Sequence, residues 1–198
     1  IGFSSDAYLP ALTELTDRVH RHGCKIAAQL NHSGKVAQED TAAGRPMLVP
    51  SVPHRKKGDM FDSLTQLEIA NFVRAAGPDG KGPQYKVMDR ADIEWAISKF
   101  VAAARRTVAA GFDAIELHCG HGYLISSFLS PYSNRRDDEY GGDVNNRARF
   151  LLELIAAIKA EIGNDFPIIC RLDAHEFRLE GGIRISDTVA VAKLLEVA

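Results

Sequence analysis

Apolar positions along the chain recur with two periods, and the switches between them mark its elements. Leu9, Leu12, Leu15 and Val19 follow at helical spacing, and Gly23 closes that segment. Lys25 to Asn31 is a short apolar run ending in polar residues, which predicts a buried strand. Residues 36–64 read as a long irregular stretch, with Pro46, Pro50, Pro53 and the basic triplet Arg55-Lys56-Lys57 in a solvated loop. Thr65 and Glu68 form a candidate capping box for a helix through Ile69, Phe72 and Val73, and the Gly- and Pro-rich run 77–83 then breaks the chain. Ile93, Ile97, Phe100, Val101, Ala104 and Val108 make one helical stripe over 90–110, ended by Gly111. A strand over 114–118 follows. The next helix, 145–162, turns Phe150, Leu151, Leu154, Ile155, Ile158 and Ile162 inward and stops at Gly163. A third strand covers 167–172, and Ser186 is placed as the cap of a last helix carrying Val189, Leu194 and Leu195.

One theme therefore repeats three times: helix, glycine, short apolar strand, polar residues at the strand's end. Strands alternating with helices imply βαβ units and a parallel sheet, hence the α/β class. At about 30 residues per unit in a barrel of ~250 residues, three units supply the middle of a (β/α)8 TIM barrel. The expectation is one partial barrel domain over 1–198, roughly strands 3 to 5, truncated at both ends, with a long surface excursion at about 36–89.

With 45% hydrophobic and 25% charged residues, the chain has the material for a sizeable core. Its formal net charge of −2 gives no basic surplus for nucleic acid. No apolar run is long enough to span a membrane, and no signal peptide is visible. Cys24, Cys119 and Cys170 lie far apart without a Cys-x-x-Cys pair, so they read as buried reduced thiols of a cytoplasmic protein. Exposed strand edges on such an open sheet predict self-association, so a homo-oligomer is expected.

In parallel sheets, function gathers at the carboxyl ends of the strands. Those ends carry Gln29 and His32, then His118 and His121, then Arg171 and Asp173. His118 and His121, three residues apart and flanked by Gly120 and Gly122, can aim ring N–H groups at one oxygen. Tyr123 adds a phenol able to give up a proton. The same histidines, joined by Asp173 and His32, offer a second reading as a metal-dependent lyase or hydrolase. A non-catalytic α/β fragment is a third. Gln29 can bond an amide-like ring edge or serve its strand alone. Arg171 ends an apolar strand, where burial demands an anion. Asp173 or Glu176 can supply one, and so can a cofactor ring that gains negative charge. Arg135, Arg136, Asp137, Asp138, Arg147 and Arg149 are expected to form an ion-pair network fixing the loop after the second strand.

Read together, His118-x-x-His121-Gly-Tyr123-Leu124, Phe128-Leu-Ser-Pro131, Asn134-x-Arg136-x-Asp138-x-Tyr140-Gly-Gly142 and Asn146-Arg-x-Arg-Phe150 resemble the Old Yellow Enzyme family of FMN-dependent NADH:flavin oxidoreductases. Gln29-Leu-Asn-His32-x-Gly34 and Arg171 are similar too, so the motifs stand in family order over residues 25–176. Their wording is nearer the 2,4-dienoyl-CoA reductase-like and bile-acid enoate reductase branch. The resemblance implies an ene-reductase that passes hydride from NAD(P)H through FMN to an α,β-unsaturated carbonyl or dienoyl substrate. It implies Gln29 and Arg171 on the flavin, His118 and His121 on the substrate carbonyl, Tyr123 as proton donor, and no metal. Larger members of that branch carry a 4Fe-4S cluster and FAD in a further C-terminal part, and the cysteines for such a cluster are not in this chain. Lys35 stands where the family usually has arginine, which keeps the charge and loses the bidentate fork.

Overall fold

The computed structural model describes residues 2–53, 83–177 and 180–198. Strands β1 (Ala27–Leu30), β2 (Met47–Val49), β3 (Tyr85–Val87), β4 (Ala114–Cys119) and β5 (Ile168–Leu172) alternate with helices. These are α1 (Leu9–His20), α2 (Gln38–Ala42), α3 (Arg90–Ala109), α4 (Leu124–Leu129), α5 (Val144–Ile162) and α6 (Ile185–Glu196). The three repeated strands form one parallel sheet in the order β1-β4-β5, as the alternation of elements predicts.

Local chemistry sets the helix boundaries. Asp89 and Asp92 cap each other's backbone N–H groups at the start of α3, at 2.9 and 3.1 Å. Asp143 accepts from the amides of Asn145 and Asn146 to open α5, and Gly163, at φ 89°, ends it. Ile115, Leu117 and Cys119 of β4 share one core with Phe100 and Ala104 of α3 and Phe150, Leu154 and Ile158 of α5. Each large side chain buried there contributes roughly 1.5–3 kcal/mol.

Alternation along the strands puts the other residues on the opposite sheet face. The register pairs Gln29 with Glu116 and His118 with Arg171. That face is accessible in β1, where exposed and buried residues alternate, and in β5, where exposed and half-buried residues alternate, so β1 is not the fully buried strand its composition suggests.

Other expectations are also corrected. The stretch 36–64 is not wholly irregular: a 3-10 turn at Gly34–Val36 leads into α2, and β2 pairs in parallel with β3. Val108 is exposed, because the stripe of α3 rotates onto Thr107 at its end. Ser186 lies inside the first turn of α6; the cap is at Arg184, whose amide donates to the Asp187 carboxylate at 3.0 Å. All three cysteines are free, but Cys24 sits exposed in the turn after α1, and only Cys119 is fully buried. The basic triplet 55–57, the helix over 65–73 and most of the turn 77–83 lie outside the described residues.

Candidate active site

The site is built on the turn that leaves β4. His118, the last but one residue of that strand, is 5% exposed. Its Nδ1 accepts the amide of Gly120 at 3.3 Å, so the neutral ring carries its proton on Nε2. That Nε2 lies 3.2 Å from Nδ1 of His121, with the rings edge to face. The Tyr123 ring stands edge-on to His118 on another side, centroids 4.9 Å apart. Burial, then the neighbouring His121 and Arg171, hold the His118 pKa below the ordinary histidine value, against Asp173 and Glu116, which raise it.

His121 adopts φ 60°, a left-handed conformation that it alone holds among the described non-glycine residues. For a residue with a Cβ this costs roughly 1–2 kcal/mol. The turn offsets it with hydrogen bonds. The His121 amide donates to Asp173 Oδ2 at 2.8 Å, and Ser126 Oγ donates to the same oxygen at 3.0 Å. The Gly122 amide donates to Ser126 Oγ at 3.3 Å, and Ser127 Oγ donates to the Gly122 carbonyl at 3.0 Å. A Cβ on Gly120 would lie 2.7 Å from Asp173 Oδ1, so the carboxylate's approach requires glycine there. Asp173, considered above as a metal ligand beside the histidines, is thus engaged with the backbone. Among the described residues no three His, Cys, Asp or Glu side chains converge in a metal-binding arrangement.

The loop after β1 closes one side. Leu124 donates its amide to the His32 carbonyl at 3.0 Å, and Gly34 packs so tightly on Leu124 that a Cβ would meet its nitrogen at 2.9 Å. His32 Nδ1 accepts from the Gly34 amide, and burial lowers its pKa. His32 therefore braces the loop. Lys35 donates from Nζ to Ser133 Oγ at 2.9 Å; burial lowers its pKa, opposed by the charge of Glu176.

Gln29 and Arg171 share the sheet face of His118. Gln29 Nε2 donates to Glu116 Oε1, and among the described residues no donor reaches the Gln29 carbonyl oxygen. Glu116 was absent from the sequence reading, although the period-two alternation of β4 places it beside His118. Arg171 is exposed and makes no ion pair with Asp173 or Glu176. Glu176 instead accepts from Ser130 Oγ at 2.6 Å and the Ile183 amide at 2.8 Å.

Within the loop after α4, the expected ion-pair network is mostly a set of arginine-to-carbonyl bonds. Arg136 pairs with Asp138, and Arg147 pairs with Asp187 of α6. Arg135 and Arg149 donate to the carbonyls of Tyr132, Val52 and Glu139. A loop has carbonyls that no ladder satisfies, and long guanidinium forks reach them. Asn134 does the same, donating to Phe128 and Tyr140, both at 2.7 Å.

Comparison with known proteins extends this picture. The model of the NADH:flavin oxidoreductase / NADH oxidase family matches residues 2–197. An NADH oxidase of Thermoanaerobacter brockii is 39% identical over 199 residues, covering 100% of this chain and 27% of that protein. An NADPH dehydrogenase of Clostridium acetobutylicum is 35% identical over 196 residues, covering 99% of this chain and 50% of its own length. The crystal structure of Old Yellow Enzyme from Pichia sp. superposes with a TM-score of 0.77 at 28% identity, over 98% of this chain and 49% of that one. The chain thus spans half or less of the length of these relatives, and its α/β architecture is part of their TIM barrel.

Proposed function

Because this chain belongs to the NADH:flavin oxidoreductase / NADH oxidase family, we propose that its site serves FMN-dependent reduction of an α,β-unsaturated carbonyl or dienoyl compound by NAD(P)H. The observation that carries the reading is the pair of ring nitrogens, His118 Nε2 and His121 Nδ1, 3.2 Å apart at the end of β4. A carbonyl oxygen taking the place of that contact receives the Nε2–H of His118. It receives a second donor when His121 carries its proton on Nδ1. Two ring nitrogens placed in advance, both donating once His121 carries its proton on Nδ1, stabilise the enolate charge that builds on this oxygen. Tyr123, at the N-terminal edge of α4 beside His118, is the acid that protonates the α-carbon.

FMN, when bound, supplies the hydride transfer. The exposed face of the sheet fits it. Gln29, its amide nitrogen bonded to Glu116, offers a carbonyl oxygen suited to the N–H of a pyrimidine-like edge. Arg171, exposed at the β5 end beside His118, offers a cation to a ring that gains negative charge on reduction. The three free thiols are consistent with a reducing, cytoplasmic setting.

Titration of the chain with FMN, read by flavin fluorescence, tests the cofactor face. Saturable binding is expected, lost in Gln29→Ala and Arg171→Ala; wild-type affinity in both variants would remove these residues from the flavin. In the FMN-loaded enzyme, Tyr123→Phe is expected to slow alkene reduction while leaving reduction by NAD(P)H near wild type. Equal loss in both half-reactions would refute the proton-donor role.

A further inference from the structure

We infer that Asp173 is a positioning residue for the histidine pair, acting through the backbone of His121. The inference rests on the reading of His118 and His121 as donors to one oxygen and deepens it. Two residues contribute a ring to that pair, but they are held differently. His118 belongs to a strand whose ladder fixes its backbone. His121 lies beyond the strand, exposed, in a left-handed conformation that its own side chain disfavours.

Asp173 is what β5 contributes to this turn. Its Oδ2 accepts both the His121 amide and the Ser126 hydroxyl, at 2.8 and 3.0 Å. Ser126 in turn accepts the Gly122 amide, so one carboxylate oxygen holds both sides of the turn. The side chain is itself held at its base, because Thr188 Oγ1 of α6 donates to the Asp173 carbonyl at 2.7 Å. The contact also fits the local sequence. Gly120 makes room for Oδ1, and Gly122 supplies the second left-handed residue. Charge strengthens the arrangement, since a carboxylate is a better acceptor for an amide than a neutral oxygen. With Asp173 in place, His121 Nδ1 stays opposite His118 Nε2, and the two ring nitrogens converge before any ligand arrives. Without it, His121 is free to leave the left-handed region and its ring to swing out of line.

The experiment needs neither flavin nor turnover. Ring-nitrogen signals of His118 and His121 and amide exchange at His121 are recorded by NMR on the 15N-labelled chain. Wild type, Asp173→Ala, Asp173→Asn and Ser126→Ala are compared. In wild type His118 is expected as the single Nε2–H tautomer. Asp173→Ala is expected to speed exchange of the His121 amide roughly tenfold or more, the loss of one bond to a charged acceptor. The His121 ring signals are expected to move with it. The Gly120 amide keeps holding His118 in its tautomer. Asp173→Asn keeps an acceptor oxygen and is expected to restore much of the protection, an outcome that a purely structural charge would not give. Ser126→Ala, which leaves the carboxylate in place, is expected to produce a smaller effect in the same direction and serves should Asp173→Ala fail to fold. His121 signals and exchange unchanged in Asp173→Ala, or in Ser126→Ala if Asp173→Ala does not fold, would overturn the positioning role. Because the readout is free of FMN, that result would leave the ene-reductase reading standing; a failure to bind FMN would leave the positioning result standing.

Discussion

Arg147 offers the sharpest test of how the site's scaffold is held. It lies in the first turn of α5, is 5% exposed, and spends its guanidinium on three acceptors. Nε donates to the Leu129 carbonyl at 2.8 Å, Nη1 to the Gly142 carbonyl at 2.5 Å, and Nη2 to Asp187 Oδ1 at 2.9 Å. Leu129 ends α4, the helix that carries the histidine turn; Gly142 precedes α5; Asp187 opens α6. Arg147→Met keeps much of the stem's volume and removes all three donors. Each buried acceptor left unpaired costs about 1–3 kcal/mol. The buried Leu129 carbonyl then gives roughly 1–3 kcal/mol, with smaller additions from Gly142, which is exposed, and from Asp187, whose side chain is 25% exposed, because both recover water. Water entering beside the thioether lowers the sum, so the expected loss is about 2–3 kcal/mol. Arg147→Lys keeps one charged group, able to serve one or two of the acceptors, and is expected to lose about half as much. Urea denaturation followed by circular dichroism gives both values, taken from the midpoint shift at constant slope. A loss below about 1 kcal/mol in Arg147→Met would refute the reasoning that these three bonds tie α4, α5 and α6 together.

Acid should destabilise the chain through its buried histidines. The pKa values of His118 and His32 are both lowered in the folded state, chiefly by burial. Above the ordinary value of 6.5 both states are neutral and stability is complete; as pH falls, the unfolded chain binds protons first, so stability drops until pH passes the folded values. Melting temperature is expected to decline from about pH 7.5 to about pH 5, where carboxylates still contribute little; a flat or rising profile would contradict it. At the opposite end of the sheet, Thr16 is 1% exposed and donates to the Ala110 carbonyl at 2.5 Å, joining α1 to the end of α3. Thr16→Val keeps the shape and loses that donor, with an expected cost of about 1–2 kcal/mol by the same urea assay, and Thr16→Ser should recover most of it. No measurable change in Thr16→Val would show that the carbonyl finds another donor.

Much of the fold was legible because one signal set it. Helical stripes such as Ile93–Phe100–Ala104 and Phe150–Leu154–Ile158 bury as their spacing predicts. Glycines at 111 and 163 sit at positive φ where those segments stop. The short strand β2, three residues long, and the five-residue α2 escaped, because elements of that length carry too few positions for a period to show. The start of α6 was misplaced for a related reason. Ser186 has the chemistry of a cap, but Asp187 reaches back to the Arg184 amide and moves the boundary.

At the site, the sequence determined which groups are available and at which end of which strand. His118 and His121 three residues apart, Tyr123 after a glycine, and Gln29 and Arg171 at neighbouring strand ends all follow from chain order and the parallel sheet. Tertiary structure decided how each group is used. Asp173, equally suited by type to a metal or a backbone amide, went to the His121 amide because the β4–β5 register brings it beside that turn. Glu116 became the partner of Gln29 only once β1 and β4 were paired. Arg171, costly to bury on the sequence argument, is exposed, so it demands no anion from Asp173 or Glu176. Of the arginines after α4, Arg135 and Arg149 took carbonyls, and Arg136 and Arg147 took carbonyls besides one carboxylate each, since an ordered loop leaves main-chain oxygens that must be satisfied. The physical reason is the same throughout: residue type and local spacing are properties of the chain, while the partner a polar group finds depends on which segments packing brings within about 3 Å.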